Sequence, residues 1–299
     1  MKTLQNKIDF ALVIGVKNAN PNGDPMLGNR PRTDMYGYGI ITDVCLKRKL
    51  RNRMDDLGAE IFFRAPERSD DGFQSLQERA ENTPDLDFSN LDTLSATACK
   101  KWLDVRSFGQ LFAFPSKGKK GKKAEGEEEA VAGVSVGIRG PVTIQQAKSL
   151  NLVDIEDLQI AKCFNGVTAE KGKKGSDTLG HKFCVPFGVY VAYGSINARL
   201  AQKTGLTEED VALIRESLQT LFENDESADR PSGSMEVLQV IWWEHKGLDA
   251  SVASGVVHRS LNISVPNTVS SFDEIKMTAT ALPGVTLSTM PDGLSVDLI

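Results

Sequence analysis

Residues 8–53 contain the stretch that decides the fold expected for this chain, IDFALVIGVK followed by NANPNGDPMLGNRPRTDMYGYGIITDVCLKRKLRNR. Residues 8–17 are apolar on both faces in their middle and are followed by Asn, Pro and Gly, which predicts a central β-strand. The Asn, Pro and Gly residues indicate a loop ordered by turns rather than by strand pairing. After Gly39 the pattern becomes helical. A strand, a loop and a helix in this order open either a doubly wound domain or a split ferredoxin-like domain.

The predicted helix has one apolar face with basic residues on both sides of it. Its apolar residues recur at helical spacing, and they are Leu46, Leu50, Met54 and Leu57. Lys47 and Arg51 flank this stripe on one side, and Lys49 and Arg53 flank it on the other. Five of the seven residues from Lys47 to Arg53 are basic, although the formal net charge of the chain is −5. This local enrichment indicates either a solvated helix face or a surface for a polyanion.

The loop before the helix favours the polyanion. Its turn N–H groups, the free N–H groups at the start of the helix and the guanidinium groups of Arg30 and Arg32 can converge on phosphate. The candidate binding residues in this region are Asn20, Asn22, Arg30, Arg32, Lys47, Arg48 and Arg51.

The composition of the 299-residue chain is that of a soluble globular protein, with 40% hydrophobic and 25% charged residues. No apolar run approaches the roughly 20 residues of a membrane span, and the N-terminus lacks the apolar core of a signal peptide, so we expect a cytoplasmic protein. The cysteines are far apart in the sequence, at positions 45, 99, 163 and 184. This spacing favours buried thiols over disulfides or a zinc site, and we expect no cofactor.

The later part of the chain favours the ferredoxin-like alternative. Strands are predicted at residues 185–198, 236–244 and 261–265, with a helix capped by Thr207 between the first two. Because only one or two more convincing helices accompany these strands, a ferredoxin-like (RRM-like) α+β core fits better than repeated βαβ units. The tail from residue 272 onwards is expected to form a small β region or an arm that docks on a neighbour.

An insertion is expected between the first helix and the later strands. Residues 55–92 hold eleven acidic residues against three arginines, which predicts a loop-rich acidic surface. Residues 97–114 are rich in aromatic and aliphatic side chains and should dock on the core. The lysine-glycine run at 117–123 and the glutamates at 125–129 form a low-complexity segment, which we expect to be a mobile loop. Contact between its lysines and nucleic acid remains open.

Residues 133–137, GVSVG, match the G-x-S-x-G pattern of the serine hydrolase nucleophile elbow. An elbow requires a turn from strand to helix at the serine, whereas this β-branched run continues as a strand past Ser135. Arg139 follows, and the glycines at 137 and 140 allow a close backbone approach there. Arg139 is a candidate both for a structural role and for a polyanion contact.

Residues 163–184, CFNGVTAEKGKKGSDTLGHKFC, predict a long hairpin with a basic tip. Its apolar flanks suit a rigid arm, and its tip has no apolar residue to anchor it on its own core. The candidate binding residues on this hairpin are Lys171, Lys173, Lys174, His181 and Lys182.

Taken together, these runs resemble the crRNA-binding backbone subunit of type I-C CRISPR Cascade. The resemblance spans most of the chain, and its runs are NPNGDP at 20–25, RPRTD at 30–34, TDVCLKRKLRN at 42–52, IRGPV at 138–142, TLGHK at 178–182, VPFGVY at 185–190, TG at 204–205 and EED at 208–210. It implies a non-catalytic RNA-binding protein that polymerises along the crRNA as a helical filament and presents it to a target DNA strand. Further implied partners are the large subunit and the crRNA-processing subunit, with no membrane.

For the fold, the resemblance implies one domain, 1–299, with insertions. A ferredoxin-like (RRM-like) palm would comprise residues 1–58, 132–165 and 184–299. Residues 59–131 would form the inserted subdomain and mobile loop. Residues 166–183 would form a protruding thumb hairpin that grips the neighbouring copy and displaces a guide base. The thirteen candidates named above, including Arg139, are then RNA-binding residues.

Two other functions remain open from the sequence. One is an RNA endonuclease of the same superfamily, in which Asp24 or Asp34 assists a metal ion or the 2′-hydroxyl group. The absence of a clustered acidic set counts against it. The other is the serine hydrolase suggested by Ser135.

Overall fold

The computed structural model describes residues 2–88, 90–114, 134–161, 179–266, 269–290 and 293–299. The strands are β1 Ile8–Ala19, β2 Gly23–Asp24, β3 Arg30–Pro31, β4 Tyr38–Ile41, β5 Gly109–Phe114, β6 Val134–Arg139, β7 Val142–Ile144, β8 Ala147–Leu152, β9 Glu156–Ala161, β10 Leu179–Ile196, β11 Met235–His245, β12 Leu261–Ser264, β13 Lys276–Ala279, β14 Val285–Thr289 and β15 Val296–Leu298. The α-helices are α1 Asp43–Asp56, α2 Leu76–Glu81, α3 Leu91–Lys101, α4 Leu103–Phe108, α5 Ala198–Thr204, α6 Glu208–Gln219 and α7 Ser254–Arg259. Short 3-10 helices cover Pro25–Leu27, Pro66–Arg68 and Phe272–Glu274.

An antiparallel sheet dominates this mixed α/β structure. The predicted central strand is confirmed, since β1 pairs with β10 on one side and with β11 on the other. The sheet has the order β14-β11-β1-β10-β8-β4, and β7 and β9 also pair with β10. β10 is 18 residues long. Eleven of its last twelve residues pair with β1, and its first six pair with β9.

Helices α1 and α6 cover one face of this sheet. Phe10 and Leu12 of β1 are fully buried, together with Leu50 of α1 and Ile214 of α6. Because both helices contribute their apolar stripe to the same cluster, α1 and α6 lie side by side above β1. The predicted start of α6 is confirmed: Asp210 N donates to Thr207 Oγ1 over 3.1 Å and Thr207 N donates to the Asp210 carboxylate over 2.9 Å.

The C-terminal part of the chain covers the opposite face. Val13 and Trp243 are buried there against Met277 of β13 and Val257 of α7. Trp242 belongs to the first face and Trp243 to the second, because neighbouring strand residues point to opposite faces. The tail is thus a small β region that closes the second core. Both tryptophans are 3% exposed or less, so neither is available for base stacking.

The insertion has a smaller aromatic core of its own. Phe62 lies 4.5 Å from Trp102 and 5.2 Å from Phe112, measured between ring centroids. Residues 97–114 thus mainly build this separate core through α3, α4 and β5, and the predicted docking on the central core is made by Leu103 and Phe108. The expectation of only one or two further helices is wrong, because α2 to α7 form. Several of them are only six or seven residues long, which is too short for a periodic apolar pattern.

Part of the predicted site lies outside the described residues. The structure does not describe the lysine-glycine segment at 117–129, nor the hairpin tip with Cys163, Lys171, Lys173 and Lys174. Cys45, Cys99 and Cys184 have free thiols. Across the described ranges, no helix has both the length and the apolar character needed to cross a bilayer.

Candidate nucleic-acid interface

The loop between β1 and α1 is fixed to the helix by its asparagines. Asn22 Oδ1 accepts a hydrogen bond from Thr42 N over 2.9 Å, immediately before α1 begins. Asn20 is 2% exposed, and its Nδ2 donates to the carbonyl oxygen of Asn29 over 2.6 Å. Both predicted candidates therefore order the loop. Arg32 is also engaged, because its Nη1 donates to Asp24 Oδ2 over 3.0 Å.

Arg30 is placed differently, next to the stem of the predicted hairpin. The stem is formed by β9 and the first residues of β10, where His181 pairs with Gln159 and Cys184 with Glu156. The Arg30 guanidinium lies 5.3 Å from the centroid of the Phe183 ring, in a cation–π contact. The loop thus packs against the face of β10 that carries Phe183.

The other face of the stem contacts the turn at residues 225–230. Because neighbouring strand residues point to opposite faces, Lys182 lies opposite Phe183, and its Nζ donates to the carbonyl oxygen of Ala228 over 2.6 Å. Asn29 Nδ2 donates to the Asp229 carboxylate of the same turn over 2.8 Å. We call this region, with Arg30, His181, Lys182 and Phe183, the hairpin base.

The hairpin base contains both carboxylates and cations, and two of its cations have no acidic partner among the described residues. His181 Nδ1 lies 2.7 Å from Asp157 Oδ1. Arg30 and Lys182, in contrast, have no ion pair with any residue that the structure describes. Unpaired guanidinium and ammonium groups bind phosphate through charge-assisted hydrogen bonds, and an arginine plane also offers a stacking surface. A polyanion that passes either face of the stem meets one of these cations.

One of the two basic flanks predicted for α1 is buried rather than exposed. The Lys49 and Arg53 side chains are 5% and 10% exposed, and they pair with Asp225 and Glu223. Burial lowers the pKa of Lys49, while the Asp225 carboxylate opposes this shift. Both cations lie in the contact between α1 and the chain after α6, which is a tertiary contact that helical phase alone does not reveal.

The second flank of α1 contains one partly solvated cation and two engaged ones. Lys47 Nζ pairs with Asp43 one turn earlier, over 3.1 Å. Arg48 lies 4.5 Å above the Phe63 ring and donates to the Phe63 carbonyl oxygen over 2.6 Å. Arg51 donates to Asp104. The insertion therefore covers much of the flank on which the sequence suggested a continuous basic surface.

Arg139 is exposed at the end of β6, where it lines a cleft with Asn197 and Arg199 rather than the hairpin base. The predicted close backbone approach at Gly140 is confirmed. A Cβ atom added there would lie 2.3 Å from the carbonyl carbon of Phe108.

The carboxylates considered for an endonuclease are engaged within the chain. Asp24 accepts from Arg32 and from Met26 N. Asp34 lies 2.7 Å from Lys148 Nζ, and this hydrogen bond lowers the pKa of Asp34. Over the described ranges of the chain, no group of three or more His, Cys, Asp or Glu side chains is arranged to hold a metal ion.

Sequence reasoning did not identify Phe183 and Arg230 as parts of this region. Arg230 Nε lies 3.2 Å from the Asp225 carboxylate that also binds Lys49. Residues 225–230 have no recognisable pattern, so only folding reveals that they meet the loop and the stem. The sequence signal that could have revealed Phe183 is an aromatic residue beside a lysine, Lys182, on a strand.

The fold and this surface define an α/β protein built on an antiparallel sheet, with cationic side chains at the base of a hairpin. Residues 6–280 match the family model described as CRISPR-associated protein Cas7, and the chain belongs to that family. A protein of Haloferax volcanii, named CRISPR-associated protein Cas7, is 30% identical over 215 residues. The match covers 70% of this chain and 62% of that relative, so the chain spans less than two thirds of its length.

Solved structures also resemble the chain. One named CRISPR RNA-guided surveillance complex has a TM-score of 0.47 and 13% identity, covering 92% of this chain and 89% of its own. A second, named CRISPR RNA-guided surveillance complex, pre-nicking, has a TM-score of 0.45 and 14% identity, covering 89% and 84%.

Proposed function

We propose that this chain is a non-catalytic, crRNA-binding backbone subunit of a type I-C CRISPR surveillance complex in the cytoplasm. The observation that supports it most directly is the hairpin base, where Arg30 and Lys182 form no ion pair with any described residue. In a chain of formal net charge −5, belonging to the Cas7 family, cations without an acidic partner favour a nucleic-acid partner.

The proposed fold is a ferredoxin-like (RRM-like) palm with a thumb. Its support is the order β11-β1-β10-β8, with α1 and α6 together on one face. Residues 1–58, 132–165 and 184–299 form the proposed palm, 59–131 the insertion and 166–183 the thumb. Lys171, Lys173 and Lys174 are proposed RNA contacts at its tip.

The proposed binding mode uses the RNA backbone rather than the bases. Cations that contact phosphate do not distinguish sequence, and they leave the base edges free to pair with a target DNA strand. Binding should therefore be nearly independent of guide sequence and should weaken steeply with salt.

The length of β10 supports polymerisation. The same strand runs through the central sheet and into the stem, so an arm on this stem is held firmly by the core of its own subunit. Contact of that arm with the next copy is heterologous and does not close, which generates a filament. The large subunit and the crRNA-processing subunit are further proposed partners of the complex.

The test of RNA binding is the double variant Arg30→Glu/Lys182→Glu. Arg259→Glu/Lys276→Glu is a charge-matched control, because both residues are exposed and lie on α7 and β13. We expect the first variant to lose guide affinity, with a salt slope smaller by about 1.4 for two lost single-strand phosphate contacts. The control should keep the wild-type slope. Equal affinity of the two variants would refute the proposed site.

The arm is tested by replacing residues 166–182 with a Gly-Gly turn. In gel shifts and native mass spectra, the wild type should pass from free RNA to a fully coated species with few intermediates. The shortened protein should give a ladder of partly coated species. Cooperative coating by the shortened protein would assign the contact between copies to another surface.

Incubation of the protein with labelled RNA and a divalent metal ion distinguishes our proposal from the endonuclease alternative. Our proposal requires binding without cleavage. Cleavage that Asp24→Asn or Asp34→Asn abolishes would instead support the nuclease.

A further inference from the structure

A second cationic surface lies beside α5, at the opposite end of β10 from the hairpin base. Helix α5 begins directly after Asn197, which follows the last residue of β10. An 18-residue strand spans up to about 55 Å when straight. The two surfaces are therefore far apart on the same subunit.

The surface beside α5 is a groove made of two adjoining clefts. One cleft, of about 410 Å³, is lined by residues including Lys100 and Thr204. The other, of about 500 Å³, is lined by residues including Arg139. Gln202 and Lys203 line both. We call this continuous feature the α5 groove.

The α5 groove is positively charged. Its acidic neighbours are neutralised: Asp210 lies 2.6 Å from Arg106 Nη2, and Asp249 pairs with Arg199. Lys100, Arg139 and Lys203 are exposed and form no ion pair with any part of the chain that the structure describes. Three cations along one groove thus have no acidic partner among the described residues, which favours an anionic ligand with several charges.

The lining chemistry narrows the class of ligand. Neither cleft is lined by an aromatic residue, so the groove offers no platform for stacked bases. Protein interfaces place apolar and aromatic residues at their centre, whereas the centre of this groove holds Gln202 and Lys203. A chain of phosphodiester groups fits long cations spaced along such a groove.

We propose that the α5 groove binds the sugar–phosphate backbone of a single-stranded nucleic-acid segment other than the one at the hairpin base. This goes beyond the proposed function, because it assigns a second, separate nucleic-acid contact to each subunit. Arg139 then belongs to this contact. The segment is recognised by its backbone, so its base sequence is irrelevant to binding.

The test uses the full chain loaded with a guide RNA and a labelled single-stranded oligonucleotide that is not complementary to it. The experiment is run in parallel with a DNA and an RNA oligonucleotide, which shows which of the two backbones the groove binds. The groove variant is Lys100→Glu/Arg139→Glu/Lys203→Glu. Its charge-matched control is Lys246→Glu/Arg259→Glu/Lys276→Glu, which also reverses two lysines and one arginine on the surface. Anisotropy titrations at several salt concentrations give the affinity and the salt slope.

We expect the groove variant to bind the oligonucleotide at least about tenfold more weakly than the control, with a salt slope smaller by about 2 for three lost contacts. Guide affinity should be unchanged. Lys100→Glu and Lys203→Glu each change one exposed side chain, so each should keep the wild-type melting temperature and still weaken binding a few-fold. These single variants test the groove even if the triple variant misfolds.

Equal oligonucleotide binding by the groove variant and its control would overturn the proposal. Loss of guide binding to the same extent would also overturn it, because the groove would then belong to the guide path. Arg30→Glu/Lys182→Glu separates the two proposals. This double variant should still bind the oligonucleotide through the α5 groove when no guide RNA is present. If it does so and also keeps the wild-type affinity for the guide, the hairpin base is refuted as the guide site while the groove proposal stands.

Discussion

Arg51 Nε lies 3.0 Å from Oδ2 of Asp104, whose side chain is 1% exposed. The same carboxylate accepts the backbone N–H groups of Phe62 and Phe63, over 2.8 and 3.0 Å. One buried anion thus joins α1, α4 and the start of the insertion. Arg51 provides its positive charge partner, which makes this arginine part of the fold.

Reversing the charge of Arg51 should detach the insertion from α1, whereas reversing the charge of Lys47 should not. Arg51→Glu leaves the Asp104 charge buried and unpaired beside a second anion, a change that costs about 3–5 kcal/mol. Lys47→Glu breaks only a surface pair with Asp43, worth about 1 kcal/mol or less. Urea unfolding measures both values. A stable Arg51→Glu protein would show that Asp104 does not depend on this partner.

Gly140 should tolerate no side chain, although Gly137 on the same strand segment should. A Cβ atom at Gly140 would meet the backbone of residues 107–109 at 2.3–2.4 Å, which neighbouring atoms cannot relieve by rotating a side chain. At Gly137 the nearest atom is a Leu111 methyl carbon at 4.0 Å. We expect Gly140→Ala to cost at least about 1–3 kcal/mol and Gly137→Ala close to none. Thermal unfolding of both variants checks this, and equal melting temperatures would contradict it.

A buried titratable cluster should make stability depend on pH. Asp9 is fully buried and accepts from His245 Nε2 at 2.8 Å and from Lys7 at 2.6 Å. His258 lies beside it, with its Nε2 at 3.9 Å from Asp9 and its ring stacked on Tyr193. Burial lowers the pKa of His258, and the Asp9 carboxylate only partly opposes this.

The sign of the pH effect follows from that shift. Below the ordinary histidine pKa of 6.5, the unfolded chain binds a proton at His258 more readily than the folded chain does. The stabilisation is therefore present above this value and is lost as pH falls through the folded pKa. Unfolding free energies at about pH 7.5 and about pH 5.5 should differ less in His258→Gln than in the wild type. Identical differences would exclude His258 as the source.

Ser135 should have no chemical role. It pairs with Ala113 inside the β5–β6 ladder and is exposed there, so no strand-to-helix turn presents it as a nucleophile. Ser135→Ala is expected to change RNA affinity and the free energy of unfolding by no more than about 0.5 kcal/mol. Loss of an esterase activity in this variant would contradict the assignment.

Local patterns predicted most of the central elements. Three features each depend on neighbours within a few residues: the apolar run at 8–17, the apolar stripe of α1 and the capping box of Thr207 with Asp210. Sequence spacing therefore contained the information needed to predict these elements. Short helices such as α2 and α7 escaped prediction because six residues form less than two turns. The tip of the hairpin lies outside the described residues, and its binding role stays a prediction.

The sequence by itself determined which residues are cationic, which strand is central and where the principal helices begin. Only the tertiary structure decided which cations remain free. Lys49, Arg51 and Arg53 each meet a carboxylate distant in the sequence, whereas Arg30 and Lys182 meet none in the part of the chain that the structure describes. The physical reason is that helical phase fixes the direction of a side chain, but its charge is compensated by groups that only chain folding brings within about 4 Å. The same chain folding places Arg139 and Lys203 along one groove.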